Sequence, residues 1–542
     1  MKINPTDVFK EYKNAMQFKS TLGEKGLYEQ TRINERFYAG DQWYGAKCGN
    51  DRPLVRHNII KRIGEFKMSQ ITGTPISVSY SADGIPNTDT SRRSIKNLRQ
   101  KMANDSSFAF SGNVGAEEIN VVMSALSDYR KLTAERVGLD SLCMRALKNA
   151  YISGSSVLYT YWDSEVATGL YSDDAKTTPI KGDIKCEVLD IRNVYFGDPY
   201  CEDVQNQPFI ILTSRVDVDV ARREAKRFGA DNATLNLIEP DSEDGKVLVI
   251  TRLWREYKEN GGTRIMCLKC TEKAVIRKEF DTRLRMYPLA LFRFEEKNDL
   301  AYGDSEITYL IPNQIAINRM ITANVWAAMS MGMPIMVVNG DTVTTDITND
   351  PGQIIKIYGS NEDVSGAVKY VTPPDFSAAF GDNVNILIDN TLTQSGANAA
   401  ALGDSELNNA TALITLRNAA IMPLTLIKNR FYYFMEQLAR IWADFWITQY
   451  GNRLIKIEDE NGIWYMPFTA SRYENLYLTA KITVGPDTVY SVAESISTLN
   501  SLYEKGVINR HQYLRRLPEG VVPELEGLIT QVSQEEASEH DG

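Results

Sequence analysis

Histidine is almost absent from this chain of 542 residues: His57, His511 and His540 are the only three. That scarcity excludes HExxH zinc sites, which need two imidazoles on one helix face, and nearly excludes Ser-His and Cys-His nucleophile pairs. A phosphate-cradling GxxxxGK[ST] loop is also missing, because the one Gly-Lys pair, Gly245-Lys246, is followed by Val247. ATP hydrolysis by the usual P-loop is therefore not expected. The six cysteines, at 48, 143, 186, 201, 267 and 270, are too thinly spread for a disulfide framework. The opening MKINPTDVFKEYKNAMQF has no apolar core of the kind a secretory signal carries, so free thiols in a reducing cytoplasm are expected. Long apolar runs are lacking too. Met320 to Gly340 has no charge, but Asn324, Ser330, Gly332, Pro334 and Asn339 interrupt it, and no membrane partner is expected.

Charge is present in quantity. Sixty Lys and Arg face 70 Asp and Glu, a net charge of −10, so any DNA contact has to be local or transient. The acids are unevenly placed. Between Tyr370 and Leu416 there is no Lys or Arg, and from Met320 to Leu416 ten acids meet two bases. Asp375, Asp382 and Asp389 recur every seven residues. On a helix that spacing drifts only ~20° per step, so the three carboxylates form one stripe. In a monomer the stripe is a solvated face; in a ring of such helices it lines a passage and repels phosphate. The tail from Leu517 carries seven acids and no Lys or Arg. Bases concentrate near the start, with Arg52, Arg56, Lys61, Arg62, Arg92, Arg93, Lys96 and Arg99. Half of these or more are expected on solvated helix faces, and the rest are free to meet acidic neighbours or DNA.

Periodicity gives an α+β reading. Basic helices are expected over Arg52–Lys67 and Thr90–Met102, with helices over 116–131 and 134–152 closed by Gly154 and followed by the strand VLYTYW. Strand patterns dominate 182–290, with Asn260-Gly261-Gly262 as a hairpin turn and one helix from Asp217 to Phe228 closed by Gly229. A helix with Pro312 inside it follows from Asp304 or Ser305 to about Met331, then a small β segment over 334–374 and another helix from about Asp375 to Gln394. The longest helical pattern, Ala410 to Tyr450, is broken only by Pro423, and its stripe Phe431, Phe434, Leu438, Trp442 and Phe445 reads as packed core. Two short helices follow, separated by Gly506 as C-cap and Asn509 as N-cap. Cys267-x-x-Cys270 lies in a strand pattern, where residues three apart face opposite ways, so two unrelated thiols are expected rather than a metal or redox pair. No cofactor and no metal site is expected. Paired carboxylates for glycoside chemistry are neither supported nor removed by counting, since their separation in space decides.

The order of the parts resembles the portal proteins of tailed bacteriophages. NERFYAGDQW (34–43) followed by RPLVRHNIIKRIGEFKMSQITG is similar to the family's opening, as are SGSSVLYTYWD and DIRNVYFGDP. YPLALFRFEEKNDLAYGDSEITYLIPNQIAINRMITAN (287–324) resembles the approach to its stem helix, and ITVGPDTVYSVAESISTLNSLYEKGVINRHQYL (482–514) its passage from wing to crown. The resemblance implies a wing over 1–303, stem helices over 304–332 and 375–395, a clip over 333–374, a tunnel loop over 396–409, a wing-spanning helix and strands over 410–490, and a short crown with an acidic tail over 491–542. It implies a homo-oligomeric ring, usually dodecameric, at one capsid vertex of the virion, assembled in the host cytoplasm and threaded by double-stranded DNA. The implied partners are the terminase large subunit, the major capsid or scaffold protein and a head-tail adaptor. Asp375, Asp382 and Asp389 would line the channel, and Gln394, Asn398, Asn408 and Asn409 would touch DNA from the tunnel loop. For those amides turn and cap chemistry is an equal reading. No enzymatic activity is implied. The alternatives are another virion structural protein, such as an adaptor or baseplate subunit, and a virion-associated carbohydrate-active enzyme.

Overall fold

The computed structural model describes residues 4–44, 53–73, 76–82, 116–171, 179–258, 262–331, 335–338, 341, 343, 356, 358, 368–371, 378–397, 422–459, 462–473, 478–484, 489–517, 522, 525, 527–529 and 531–532. The helices are α1 (Pro5–Thr21), α2 (Leu27–Ala39), α3 (Ile59–Thr72), α4 (Ala116–Val137), α5 (Leu139–Ser153), α6 (Val218–Arg227), α7 (Asn232–Asn236), α8 (Glu306–Met331), α9 (Ala378–Gln394), α10 (Thr425–Gln449), α11 (Val489–Glu504) and α12 (Arg510–Arg515). The strands are β1 (Ile76–Ala82), β2 (Ser155–Tyr171), β3 (Pro179–Asp190), β4 (Val194–Phe196), β5 (Phe209–Asp217), β6 (Lys246–Tyr257), β7 (Thr263–Cys270), β8 (Val275–Asp281), β9 (Leu289–Arg293), β10 (Ile335–Val338), β11 (Val368–Val371), β12 (Asn452–Asp459), β13 (Gly462–Thr469) and β14 (Leu478–Val484). The fold is α+β. The basic segment 90–102 and the stretch 103–115 lie outside the described residues, as do 259–261 of the Asn-Gly-Gly turn.

Contacts divide the chain into two compact units. The first holds Met1–Asn34, Gly64–Thr308 and Leu407–Gly542; the second holds Glu35–Ile63 and Tyr309–Glu406. In the first, β4 to β8 form a five-stranded sheet in chain order, β3-β2-β9 form a second sheet, and β1-β14 and β12-β13 pair separately, all antiparallel.

The core of this unit is built on α10, whose Phe431, Phe434, Leu438, Trp442 and Phe445 are all buried. Phe431 and Phe434 meet Phe292 of β9 edge-on, and Trp446 meets Tyr80 of β1 and Tyr129 of α4 in the same way. Such pairings favour the ring quadrupoles as well as area burial. The described part of this helix starts only at Thr425, because Met422–Leu424 form a 3-10 turn around Pro423, where a ring without an N–H is tolerated. Residues 410–421 lie outside the described residues.

Three buried charged side chains tie this unit together through polar partners. The Asp444 carboxylate of α10 accepts from the backbone N–H of Arg285 (2.8 Å) and Met286 (3.2 Å) and from Arg285 Nε (2.8 Å). Burial pushes its carboxyl above the ordinary range, and the Arg285 guanidinium opposes that. Asp183, fully buried, accepts from Tyr450 Oη (2.6 Å), from the Ile184 N–H (2.7 Å) and from Arg136. Lys19 of α1 is fully buried and donates to the carbonyls of Ile191 (2.6 Å) and Val194 (2.5 Å), with its ammonium 3.7 Å from the ring centre of Tyr195. Carbonyl oxygens and an aromatic face together form a receptor for a cation, which keeps α1 on the sheet.

Two sequence boundaries move. The break expected near 131–134 is absent: the run Arg130 to Arg136 is mostly helix formers, and Thr133 Oγ1 bonds back to Tyr129 O (3.0 Å) within the helix. The chain turns instead at Gly138, with φ of 65°, the left-handed region that suits glycine. The strand expected over VLYTYW continues to Tyr171, paired with β3 through register shifts after Asp163. The ends of α5 and α6 fall at Gly154 and Gly229, both with positive φ. At the far end of the chain, Asn509 caps α12 with a complete capping box.

Candidate functional site

The second unit contains the charge pattern singled out by the sequence. There α8 from Tyr309 onward leads into β10, β10 pairs antiparallel with β11, and α9 leads away. Ile335 pairs with Val371, which joins the end of α8 to the start of α9. Further along, Asn313 Nδ2 donates to Thr391 Oγ1 (3.2 Å). The two helices therefore run in opposite directions and meet again at Asn313 and Thr391.

The amide side chains of α8 organise the unit. Gln314 Oε1 accepts from the N–H groups of Ile59 (3.0 Å) and Ile60 (3.3 Å), and its Nε2 donates to His57 O (2.6 Å) and to Asn318 Oδ1 (3.0 Å). Asn318 Oδ1 accepts from the His57 N–H (3.0 Å), and its Nδ2 donates to Gln42 Oε1 (2.6 Å). Thr322 Oγ1 accepts from Val55 N–H (3.2 Å). Residues 314, 318 and 322 are one turn apart, so they form a ladder that binds the extended segment 55–58 and the first N–H groups of α3. Sequence reasoning missed this ladder. Its signal is polar residues at i, i+4 and i+8 along one face of a mostly apolar helix.

On α9, Val384, Thr391 and Leu392 are buried, while Asp382, Ile386, Asp389 and Gln394 are exposed. At about 100° per residue, Asp382 and Asp389 lie within about 20° of each other and about 180° around from Thr391. Both carboxylates thus face away from the α8 contact, one line on the free side of the helix, and neither has an ion pair among the described residues. The helix ends at Gly396, φ 76°, with Ala397 N–H on Leu392 O (3.0 Å) and Gly396 N–H on Thr393 O (3.1 Å). This double closure satisfies the last carbonyls of the helix, with Gln394 exposed in its last turn. Asp375, Asn398, Asn408 and Asn409 lie outside the described residues, as do Arg52, Arg92, Arg93, Lys96 and Arg99.

The Cys267-x-x-Cys270 pair sits in β7 with both thiols buried; Cys270 packs with Val8, Tyr195 and Ile211, in a cluster that does not include Cys267. Burial pushes the thiols of Cys143, Cys267 and Cys270 up to about 12 and that of Cys186 up to about 11. Thiolate, the reactive form, is then scarce at neutral pH. Native protein at pH 8 is expected to leave these four thiols unmodified by a disulfide reagent over minutes, while urea-unfolded protein reacts at once. Rapid native labelling, located by peptide mass spectrometry, would contradict that burial. Among the described residues no group of three or more His, Cys, Asp or Glu is placed to hold a metal ion, and no helix is long and apolar enough to cross a membrane.

No protein-family model and no curated protein matches the chain. Among solved structures, it is similar to a chain from the neck of an empty gene transfer agent (GTA) particle computed with C6 symmetry, at 11% identity and a TM-score of 0.38, over 90% of this chain and 93% of that one. It is also similar to a chain from the virion of a native GTA particle, at 10% identity and a TM-score of 0.36, over 94% of this chain and 98% of that one.

Proposed function

We propose that this chain is a virion structural protein, the subunit of a portal-type ring at one capsid vertex. The ring is a passage for double-stranded DNA during packaging and ejection, and a docking site for the terminase large subunit and then for head-tail adaptor proteins. The observation that carries the reading is the helix, β-pair, helix unit with its free line of carboxylates, set in a stretch without Lys or Arg from Tyr370 to Leu416. A surface that held DNA would present cations to phosphate. A wall of the same sign as the phosphates lets the duplex slide without being held, which is what a conduit needs. Asp382 and Asp389 supply that wall, with Asp375 continuing their heptad spacing. The role is mechanical rather than enzymatic.

Electron microscopy of the purified protein tests the reading. Closed rings with a central hole of duplex width, about 20 Å or more, are expected; a population of compact monomers at micromolar concentration would overturn it. The order of segments alone does not set the subunit number, since closure depends on an interface angle.

A further inference from the structure

Arg319 of α8 is exposed and has no hydrogen bond or ion pair among the described residues. At about 100° per residue it lies about 120° around α8 from Asn313, so it faces away from its own α9. Asp382 and Asp389 face away from their own α8, about 180° around α9 from Thr391. The helix pair therefore carries a cation on the flank of α8, whose face opposite α9 is covered by segment 55–58 through Asn318 and Thr322, and two carboxylates on the outer face of α9, none of them in an ion pair among the described residues.

The heights of these groups also match. Asn313 and Thr391 mark a common level, from which both helices extend towards the β10-β11 pair. At 1.5 Å per residue, Arg319 stands about 9 Å along α8, while Asp389 and Asp382 stand about 3 Å and about 13 Å along α9. Arg319 falls between the two acids. Exposed Ile386 stands about 7 Å along, at nearly the level of Arg319, and the aliphatic stem of an arginine packs on such a side chain while its guanidinium reaches outward. On α8 the neighbours of Arg319 on the open side are Ala316 and Ala323, small enough for a second helix to approach.

We propose that the occupant of this acidic face is a second copy of the chain: Arg319 of one copy bridges Asp382 and Asp389 of the next. The contact is heterologous, cation side to anion side, and rotation about an axis parallel to the helices keeps both at one height, which permits a ring when the interface angle closes. This rests on the portal-type reading and adds the interface that builds it. One guanidinium answers two carboxylates, so the wall remains net negative.

The test uses charge reversal in the full-length protein, read by mass photometry and electron microscopy. Arg319→Asp alone, and Asp382→Arg with Asp389→Arg, are each expected to weaken assembly about a hundredfold or more, since like charges meet across the contact. Mixing the two variants is expected to restore rings of alternating subunits, because each then offers the sign that the other needs. Circular dichroism confirms that each variant is folded before mixing. Wild-type rings that tolerate both reversals, or folded variants that do not assemble on mixing, overturn this interface while leaving the ring reading intact. Wild-type protein that forms no rings overturns the ring reading itself.

Discussion

Gly154→Ala is expected to be among the most damaging single substitutions in the chain, at least about 4 kcal/mol and enough to leave little folded protein. Gly154 closes α5 with φ of 85°, and a methyl group there would lie 2.2 Å from Gly303 O. The obstacle is backbone, which cannot swing aside as a side chain does. Moving it would loosen the hydrogen bonds from Phe294 N–H to Gly154 O (2.9 Å) and from Gly303 N–H to Ser155 Oγ (2.8 Å), which tie β2 to the approach to α8. Gly229→Ala is the control. Its φ is 80°, but nothing lies within 4 Å of the added carbon, so only the left-handed backbone term of about 1–2 kcal/mol applies. Urea midpoints of the two variants measure the difference, and similar losses would show that the close approach of the two glycines is unimportant.

The second large effect is expected at Gln314, a residue with 1% of its surface exposed. Gln314→Leu keeps the volume but removes partners from the N–H groups of Ile59 and Ile60 and from His57 O. The amide makes four hydrogen bonds, each worth about 0.5–1.5 kcal/mol net, so a loss of about 2–6 kcal/mol is expected, within the second unit. Hydrogen exchange gives the local readout. Ile59 and Ile60 amides are expected to exchange at least about tenfold faster, in line with the weakest such loss, while β5 to β7 keep their protection. Unchanged exchange at those two amides would show that the glutamine is not their acceptor in solution.

These two sites mark the limit of what the sequence could show. Gly154, Gly229, Gly506 and Asn509 were legible because a cap is local: the residue that ends a helix and the pattern it ends are adjacent. The acidic line of α9 was legible for the same reason, since heptad spacing lies within one element. Gln314 was not, because the groups it binds are about 255 residues away. Asp444 with Arg285 and Asp183 with Tyr450 are pairs of the same kind, separated by 159 and 267 residues. The break was placed near Thr133 rather than at Gly138, although the run Arg130 to Arg136 is mostly helix formers, and the helix carries it. The interface charges divide likewise: Asp382 and Asp389 are conspicuous as a repeat, whereas a single Arg319 becomes meaningful only when its direction and height are known.

Lys19 has a consequence for synthesis. Its acceptors Ile191 and Val194 follow it by 172 and 175 residues. At about 5–20 residues per second, α1 leaves the ribosome roughly 10–30 s before its carbonyl socket is made. For that interval the helix, with Val8 and its partly apolar face, has no sheet to lie on. This helix is thus among the elements that must wait to be docked, and the long wait falls where a chaperone would find it.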